Sequence, residues 1–241
     1  MKKDNIDHLI VFDLETTGCN PVQDCIIEIG AIKIQDGEIV SRYHKMINPG
    51  IPIPYFITEI TGITDEMVSG APLISEALPG FLDFCDTDYI LGHNISFDYR
   101  FIKSKCCNLG YSFDKKALDT LAIARKFLKH LPSRSLGPLC AYYGIDLKNA
   151  HRAIHDAEAT YKLFQCLKKD FFDLDASVFT AQEITWNPPK QEMITPRQKK
   201  YLSDLIRMHR IVLNEEIETL TKSEASRMID KILVQVRSGQ K

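Results

Sequence analysis

The chain has 241 residues, 44% of them hydrophobic, and a formal net charge of −2 at pH 7, which suits one generous globular domain or one domain and a small appendage. No apolar run is long enough to span a bilayer, and the start Met1-Lys2-Lys3-Asp4-Asn5 leads into no signal-peptide core. Seven cysteines, an odd number without C-x-x-C or Cys/His ligand spacing, point to reduced thiols in a cytoplasmic protein and away from disulfides or a zinc site.

The first element is Leu9-Ile10-Val11-Phe12-Asp13-Leu14-Glu15-Thr16-Thr17-Gly18, a buried strand that ends in acids, hydroxyls and a glycine. Alternation puts Asp13 and Glu15 on one face and Phe12 and Leu14 on the other. Two carboxylates on one face repel. A divalent metal between them is the simplest relief, and two solvated acids at a strand tip are the plain alternative. Cys25 to Ile34 reads as a second strand, Asp36-Gly37 as a hairpin turn, and Ile39 to Ile47 as the returning strand. These three form a meander at one side of a mixed sheet. Glu28, inside the second strand, reads as structural and not as a ligand.

Pro52 and Pro54 make Ile51 to Tyr55 a loop. Phe56 to Ile60 and Asp65 to Val68 read as short helical turns. Ser75 to Cys85 is an amphipathic helix, Tyr89 to Gly92 a short strand, and a further helix runs to about Leu109. Leu118 to Leu128 and Leu136 to Tyr143 read as helices, and Ala153 to Phe172 as the longest one of the main body. Strands passing repeatedly into helices predict an α/β layer protein, with ligands outside the carboxyl ends of the strands.

Asp98 opens the helix after the Tyr89–Gly92 strand, where an acid also suits the helix dipole. The third acidic segment is Ala150-His151-Arg152-Ala153-Ile154-His155-Asp156-Ala157. Inside one helix His151 and Asp156 would stand about 140° apart. They share a centre only if His151 precedes the helix and the helix starts near Arg152. Four carboxylates, Asp13, Glu15, Asp98 and Asp156, are oxygen ligands suited to Mg²⁺ or Mn²⁺. So many acids are too much charge for one such ion, and two ions are expected. His151 has the ordinary pKa range of a general base at neutral pH. His155 points about 100° from Asp156 on a helix and reads as a packing residue. His93 and Asn94 read as shaping their loop.

Phe12–Gly18, His93–Asp98 and His151–Ala157 resemble, in this order, the three motifs of the DEDDh 3′→5′ exonuclease family. That family includes the proofreading subunit of bacterial DNA polymerase III and the exonuclease domain inserted in the Gram-positive replicative polymerase. Ile57 to Val68 is similar to the latter, and Asp119-Thr120-Leu121 and Ser135-Leu136 also stand as in the family. The resemblance covers Leu9 to about Leu167. It implies a ribonuclease-H-like fold and metal-dependent 3′→5′ hydrolysis to nucleoside 5′-monophosphates. It also implies that Asp13 bridges two metals, that Glu15, Asp98 and Asp156 complete the shell, and that His151 is the base. Leu14, Thr16, Thr17 and Gly18 would hold the 3′-terminal nucleotide. Thr61 departs from the family, many of whose members carry histidine before the glycine.

The exonuclease domain is expected over 1–172, a linker over 173–192 packed by Trp186, and a small helical unit over 193–241. Thr195-Pro196-Arg197-Gln198 and Thr221-Lys222-Ser223-Glu224 read as capping boxes. Tyr201-Leu202, Leu205-Ile206, Met208-His209 and Val212-Leu213 form one apolar stripe, with Lys200 and Arg207 away from it. The second helix turns Ala225, Met228-Ile229 and Ile232-Leu233 inward. From Lys190 onward 11 basic residues face 7 acidic ones, whereas the preceding body has 19 against 25. Two readings follow for the tail: an appendage that packs on itself or on a second chain, or one whose Arg197, Lys199, Lys200, Arg207 and Arg210 contact substrate phosphates.

The leading expectation is a DNA-directed 3′→5′ exonuclease acting on a free, single-stranded 3′ end in proofreading or repair. An RNA-directed relative of ribonuclease T or oligoribonuclease type and a non-catalytic nucleic-acid-binding module are the alternatives. No clamp-binding motif supports a polymerase partner.

Overall fold

The computed structural model describes residues 8–147, 150–189, 192–209, 211, 217 and 220–238. β1 (His8–Thr16) is central because its apolar run can be covered on both faces. It pairs antiparallel with β2 (Ile26–Gln35), which pairs antiparallel with β3 (Glu38–Met46). Asp36 and Gly37 both take positive φ, 51° and 86°, as the tight hairpin between β2 and β3 demands. On its other edge β1 pairs in parallel with β4 (Tyr89–Gly92), followed by β5 (Lys116–Asp119) in parallel and the two-residue β6 (Gln182–Glu183) antiparallel. The sheet order is β3-β2-β1-β4-β5-β6. This is the expected mixed sheet flanked by helices, with the meander at one side.

Helices α1 (Tyr55–Thr61), α2 (Asp65–Val68), α3 (Ile74–Cys85) and α4 (Ile95–Leu109) follow the chain around β4. After β5 come α5 (Thr120–Phe127), α6 (Leu136–Tyr143) and α7 (Ala153–Phe171). Alternation along β1 sorts the cores. Ile10, Phe12 and Leu14 pack with residues of α3 and α4, while Leu9 and Val11 share a cluster with Leu163, Phe164 and Leu167 of α7. Asp13 and Glu15 continue the Leu9–Val11 face, so they come out on the α7 side of the sheet. A register shift at the end of the β1–β2 ladder leaves Ile27 unpaired, and it packs with Ile53, Ile57, Ile63 and Val68 beneath α1 and α2.

Two elements differ from expectation. The segment read as one helix over Leu118 to Leu128 begins as β5 and turns helical only at Thr120, where Asp119 caps α5 by accepting the Leu121 N–H at 2.9 Å. Residues 173–187 are more than a connector. Phe179 is fully buried, β6 extends the sheet, and Trp186 packs on the α3–α4 core.

Contacts divide the chain into Met1–Asn187 and Pro188–Lys241. The second unit holds α8 (Pro196–His209) and α9 (Lys222–Ser238). Both capping boxes form: Thr195 accepts from the Gln198 N–H at 3.2 Å and Thr221 from the Glu224 N–H at 3.2 Å, each with the reciprocal bond. Leu202, Leu205, Ala225, Ile229 and Ile232 form the core of this unit. Tyr201 and Met208, placed on the apolar stripe by the sequence, are exposed, because α8 turns only its narrow Leu202–Leu205 face toward the residues it packs with among those described. Val212-Leu213 and Arg210 lie outside the described residues. Among the described residues, no helix is long and apolar enough to cross a membrane.

Candidate active site

β4 stops its pairing with β1 at the Val11–Leu91 pair. Beyond that point the Leu14 N–H has no strand partner, and Asp98 of α4 accepts it at 3.0 Å. Asn94, in the left-handed region at φ 67°, turns the chain from β4 into α4, and its N–H goes to Asp119 at 2.9 Å. Gly92 suits this turn, because a β-carbon there would lie 2.6 Å from Ile95 Cδ1 and 3.0 Å from its Cβ. His93 bridges Thr120 Oγ1 at 2.8 Å and the Arg134 carbonyl at 2.9 Å, so it braces the loop. Burial lowers its pKa.

α7 starts at Ala153, with Arg152 at its N-cap and His151 before it. His151 adopts φ 64° and donates its N–H to Asp156 Oδ2 at 3.1 Å. The backward turn brings it to the same centre as Asp156. Glu15, His151 and Asp156 each offer a ligand atom, all within 4.8 Å of one another. His151 is exposed, Glu15 partly so, and Asp156 buried with its Oδ1 lacking a hydrogen-bond partner.

Asp13 and Asp98 join electrostatically. Burial first, then the charges of Asp98, Asp156, Glu15 and Glu28, push the Asp13 carboxyl well above the usual range. Asp98 is raised by burial, opposed by backbone N–H bonds and reinforced by Glu15 and Asp119. Glu15 is pushed up to about 8 by burial and by Asp156 and Glu28, with Arg152 opposing. Burial also raises Asp156, against the pull of the His151 N–H bond. Four acids that resist ionising together, one with an orphan buried oxygen, form a donor set that a cation would relieve. Hard oxygen donors with one imidazole suit a divalent ion.

Glu28 is fully buried beside them, yet it is already engaged. Arg152 Nη2 and Nε donate to it at 3.0 and 3.1 Å, the Ala153 N–H at 3.1 Å and His44 Nε2 at 2.6 Å. Burial would raise its pKa, but these bonds hold it below the usual value. The sequence alone marks Glu28 as structural and gives no part to Arg152 or His44, which meet it only in the fold.

The Thr16 hydroxyl donates to the Gly18 carbonyl at 2.6 Å, and Thr17 Oγ1 accepts the Cys25 N–H at 2.9 Å. Leu14 is buried, and Gly18 lies against the Asp24 carboxylate. Arg197, Lys200 and Arg207 belong to α8, in the second unit, with Arg207 paired to Asp204 at 3.2 Å.

Sheet order and acid cluster together define the class. The Exonuclease family model, of RNase T type, matches residues 10–164, and the chain belongs to that family as a DEDDh member. It is 44% identical over 155 residues to the DNA polymerase III PolC-type of Caldanaerobacter subterraneus subsp. tengcongensis, covering 64% of this chain and 11% of that protein. To the PolC-type polymerase of Clostridium perfringens it is 42% identical over 159 residues, 66% of this chain and 11% of the other. The match thus spans about a tenth of the length of these curated relatives. Among solved structures, the fold is similar to E. coli Exonuclease I in complex with a dT13 oligonucleotide, with TM-score 0.65 and 22% identity over 72% of this chain and 44% of that one. It is also similar to the nuclease domain of 3′hExo, a DEDDh family member, bound to rAMP, with TM-score 0.59 and 20% identity over 70% of this chain and 95% of that one.

Proposed function

We propose that this chain is a 3′→5′ exonuclease that releases nucleoside 5′-monophosphates from a free, single-stranded DNA 3′ end with two divalent ions, Mg²⁺ or Mn²⁺. The convergence of Glu15, Asp156 and His151 within 4.8 Å, beside the buried Asp13 and Asp98, carries the reading. Asp13 would be shared between both ions, and Glu15, Asp98 and Asp156 would complete the donor set. When bound, such ions offset the negative charge that develops on phosphate oxygens and make the attacking water easier to deprotonate.

His151 acts as general base. Its exposed position lets the proton it takes from water pass on to solvent. Leu14, Thr16, Thr17 and Gly18 surround the terminal nucleotide. The Leu14 N–H is committed to Asp98 and its side chain packs with residues of α3 and α4, so this residue fixes the strand end against which the nucleotide rests.

The exonuclease domain takes in the 1–172 expected from the sequence together with the segment up to Asn187 that packs on it, and the helical unit over 193–241 follows. In that unit Arg197 and Lys200 contact phosphates of the strand, and Arg207, farther along α8 and paired with Asp204, adds to the contact. Arg197 and Lys200, together with Gln198, Tyr201 and Asp204, line a cavity of about 440 Å³. Their positive charge near the start of α8, whose first turn holds no acid, works against the helix dipole and so favours an anionic partner. Similarity to part of the PolC-type polymerases supports a place in DNA proofreading or repair, and seven free cysteines suit the cytoplasm.

The test is shortening of matched 5′-labelled DNA and RNA strands in Mg²⁺ and in Mn²⁺. Stepwise loss of mononucleotides from the DNA 3′ end is expected. Faster shortening of RNA would overturn the choice of DNA, and no shortening of either strand would overturn the reading as a whole.

A further inference from the structure

Glu28 sits opposite Glu15 in the β1–β2 ladder, and Gly30 sits opposite Asp13. Both therefore lie on the sheet face from which the acids of β1 project. A β-carbon on Gly30 would lie 2.1 Å from the Ile154 nitrogen and 2.2 Å from the Ala153 carbonyl carbon. The first turn of α7 thus rests directly on the β2 backbone. Arg152, the N-cap residue, makes no side-chain cap bond of its own. The Glu28 carboxylate supplies that acceptor from another strand, taking the Ala153 N–H at 3.1 Å. The same carboxylate holds the Arg152 guanidinium through Nη2 at 3.0 Å and Nε at 3.1 Å. His44 of β3, paired with Gly30 in the β2–β3 ladder, closes the group through Nε2 at 2.6 Å.

His151 directly precedes this anchor and bonds back to Asp156. Its φ of 64° is a left-handed conformation that a β-carbon disfavours, so the neighbours must impose it. The Asp156 carboxylate does so from one side through the His151 N–H. From the other side, Glu28 fixes both Arg152 and Ala153 to the sheet by side-chain bonds.

We infer that Glu28 is a positioning residue: with Arg152 and His44 it clamps the start of α7 to β2, and so holds His151 in its left-handed turn toward Glu15 and Asp156. It touches neither substrate nor the reacting atoms. The inference rests on the exonuclease reading for its kinetic consequence, but its geometric content stands apart from that reading.

The test compares wild type with Glu28→Gln, Arg152→Lys and a control, Arg42→Ala. Glu28→Gln keeps the size of the side chain and removes its charge, while Arg152→Lys keeps the charge and removes the two-nitrogen fork. Arg42 ties β3 to the same helix farther along, through Glu158 at 2.8 Å on the surface. Two readouts are taken below the melting transition of each variant. One is kcat and KM for a DNA oligonucleotide in saturating Mn²⁺. The other is the histidine ring NMR spectrum of the metal-free protein, with His151 assigned by its loss in His151→Ala.

Glu28→Gln and Arg152→Lys should each lower kcat by about 10- to 100-fold with KM within about threefold, the pattern for a displaced group that acts only in the transition state. Both should shift or broaden the His151 ring signals, and Arg42→Ala should do neither. A folded Glu28→Gln protein with kcat within about twofold of wild type and unmoved His151 signals would overturn the inference. Should Glu28→Gln fail to fold, Arg152→Lys decides by the same criteria. If wild type itself hydrolyses no strand, the exonuclease reading fails, and the NMR comparison still decides the positioning claim.

Discussion

The backbone N–H of Leu14 donates to the carboxylate of Asp98 at 3.0 Å, joining residues 84 positions apart in sequence. The bond fills the gap left where β4 ends. It sets an acid from α4 beside the two from β1, so strand pairing itself fixes the spacing of the cluster.

Asp98 is almost fully buried, and its charge is opposed by burial and by Glu15. Asp98→Asn keeps an oxygen that can accept the Leu14 N–H and removes the charge. The variant should melt higher than wild type when both are metal-free, and hydrolyse DNA at least about 100-fold more slowly in metal, a trade of function against stability. Calorimetry in EDTA and an initial-rate assay check the two halves.

His151→Ala should lower kcat by about 10²–10⁴-fold, or roughly 3–5 kcal/mol, the usual worth of a general base. KM should change little, because the lost group acts on the attacking water. A purified variant with near-full activity would remove His151 from that role.

Gly30→Ala should destabilise the protein by about 1–3 kcal/mol or more, since the added carbon overlaps the backbone of α7 and no flexible side chain can give way. Urea denaturation would show the loss, and an unchanged midpoint would contradict the seating of α7 on β2.

Stability should also depend on pH in two opposite ways. The Glu15 pKa rises from 4.5 to about 8 on folding, by burial and then by Asp156 and Glu28. A raised carboxyl costs stability when ionised, so the cost is absent below about pH 4.5, grows as the pH climbs, and is complete above about 8. The metal-free protein should lose melting temperature between about pH 5 and 8, and Mn²⁺ should recover much of it. Glu28 is shifted downward, so its contribution is present above about pH 4.5 and is lost on acidification through its folded value. Thermal melts in EDTA from about pH 4 to 9 would trace both arms. A melting temperature that rises steadily from about pH 5 to 8 in EDTA would contradict the first.

Much of this was readable from local pattern. Alternation placed Asp13 and Glu15 on one face, the Asp-Gly turn fixed the β2–β3 hairpin, and the angular argument put His151 ahead of α7. What escaped was set by distant partners. β5 is four residues long and runs straight into α5, so no period distinguishes it, and β6 exists only through its pairing with β5. The Arg152–Glu28–His44 group gathers one residue from each of three separated segments, and none of them signals the others in sequence. Tyr201 and Met208 match a helical stripe, yet among the described residues nothing covers them.

The most direct test of the acid cluster as a metal-dependent catalytic centre is the rate at which Asp13→Ala releases mononucleotides from a 5′-labelled DNA strand in Mg²⁺, beside wild type with and without EDTA. Hydrolysis should vanish in the variant and in EDTA alike, because Asp13 lies at the heart of the cluster, where burial and then the charges of Asp98, Asp156 and Glu15 raise its pKa and a bound cation would relieve it. A variant within about tenfold of wild type, or wild-type activity that survives EDTA, would contradict the account.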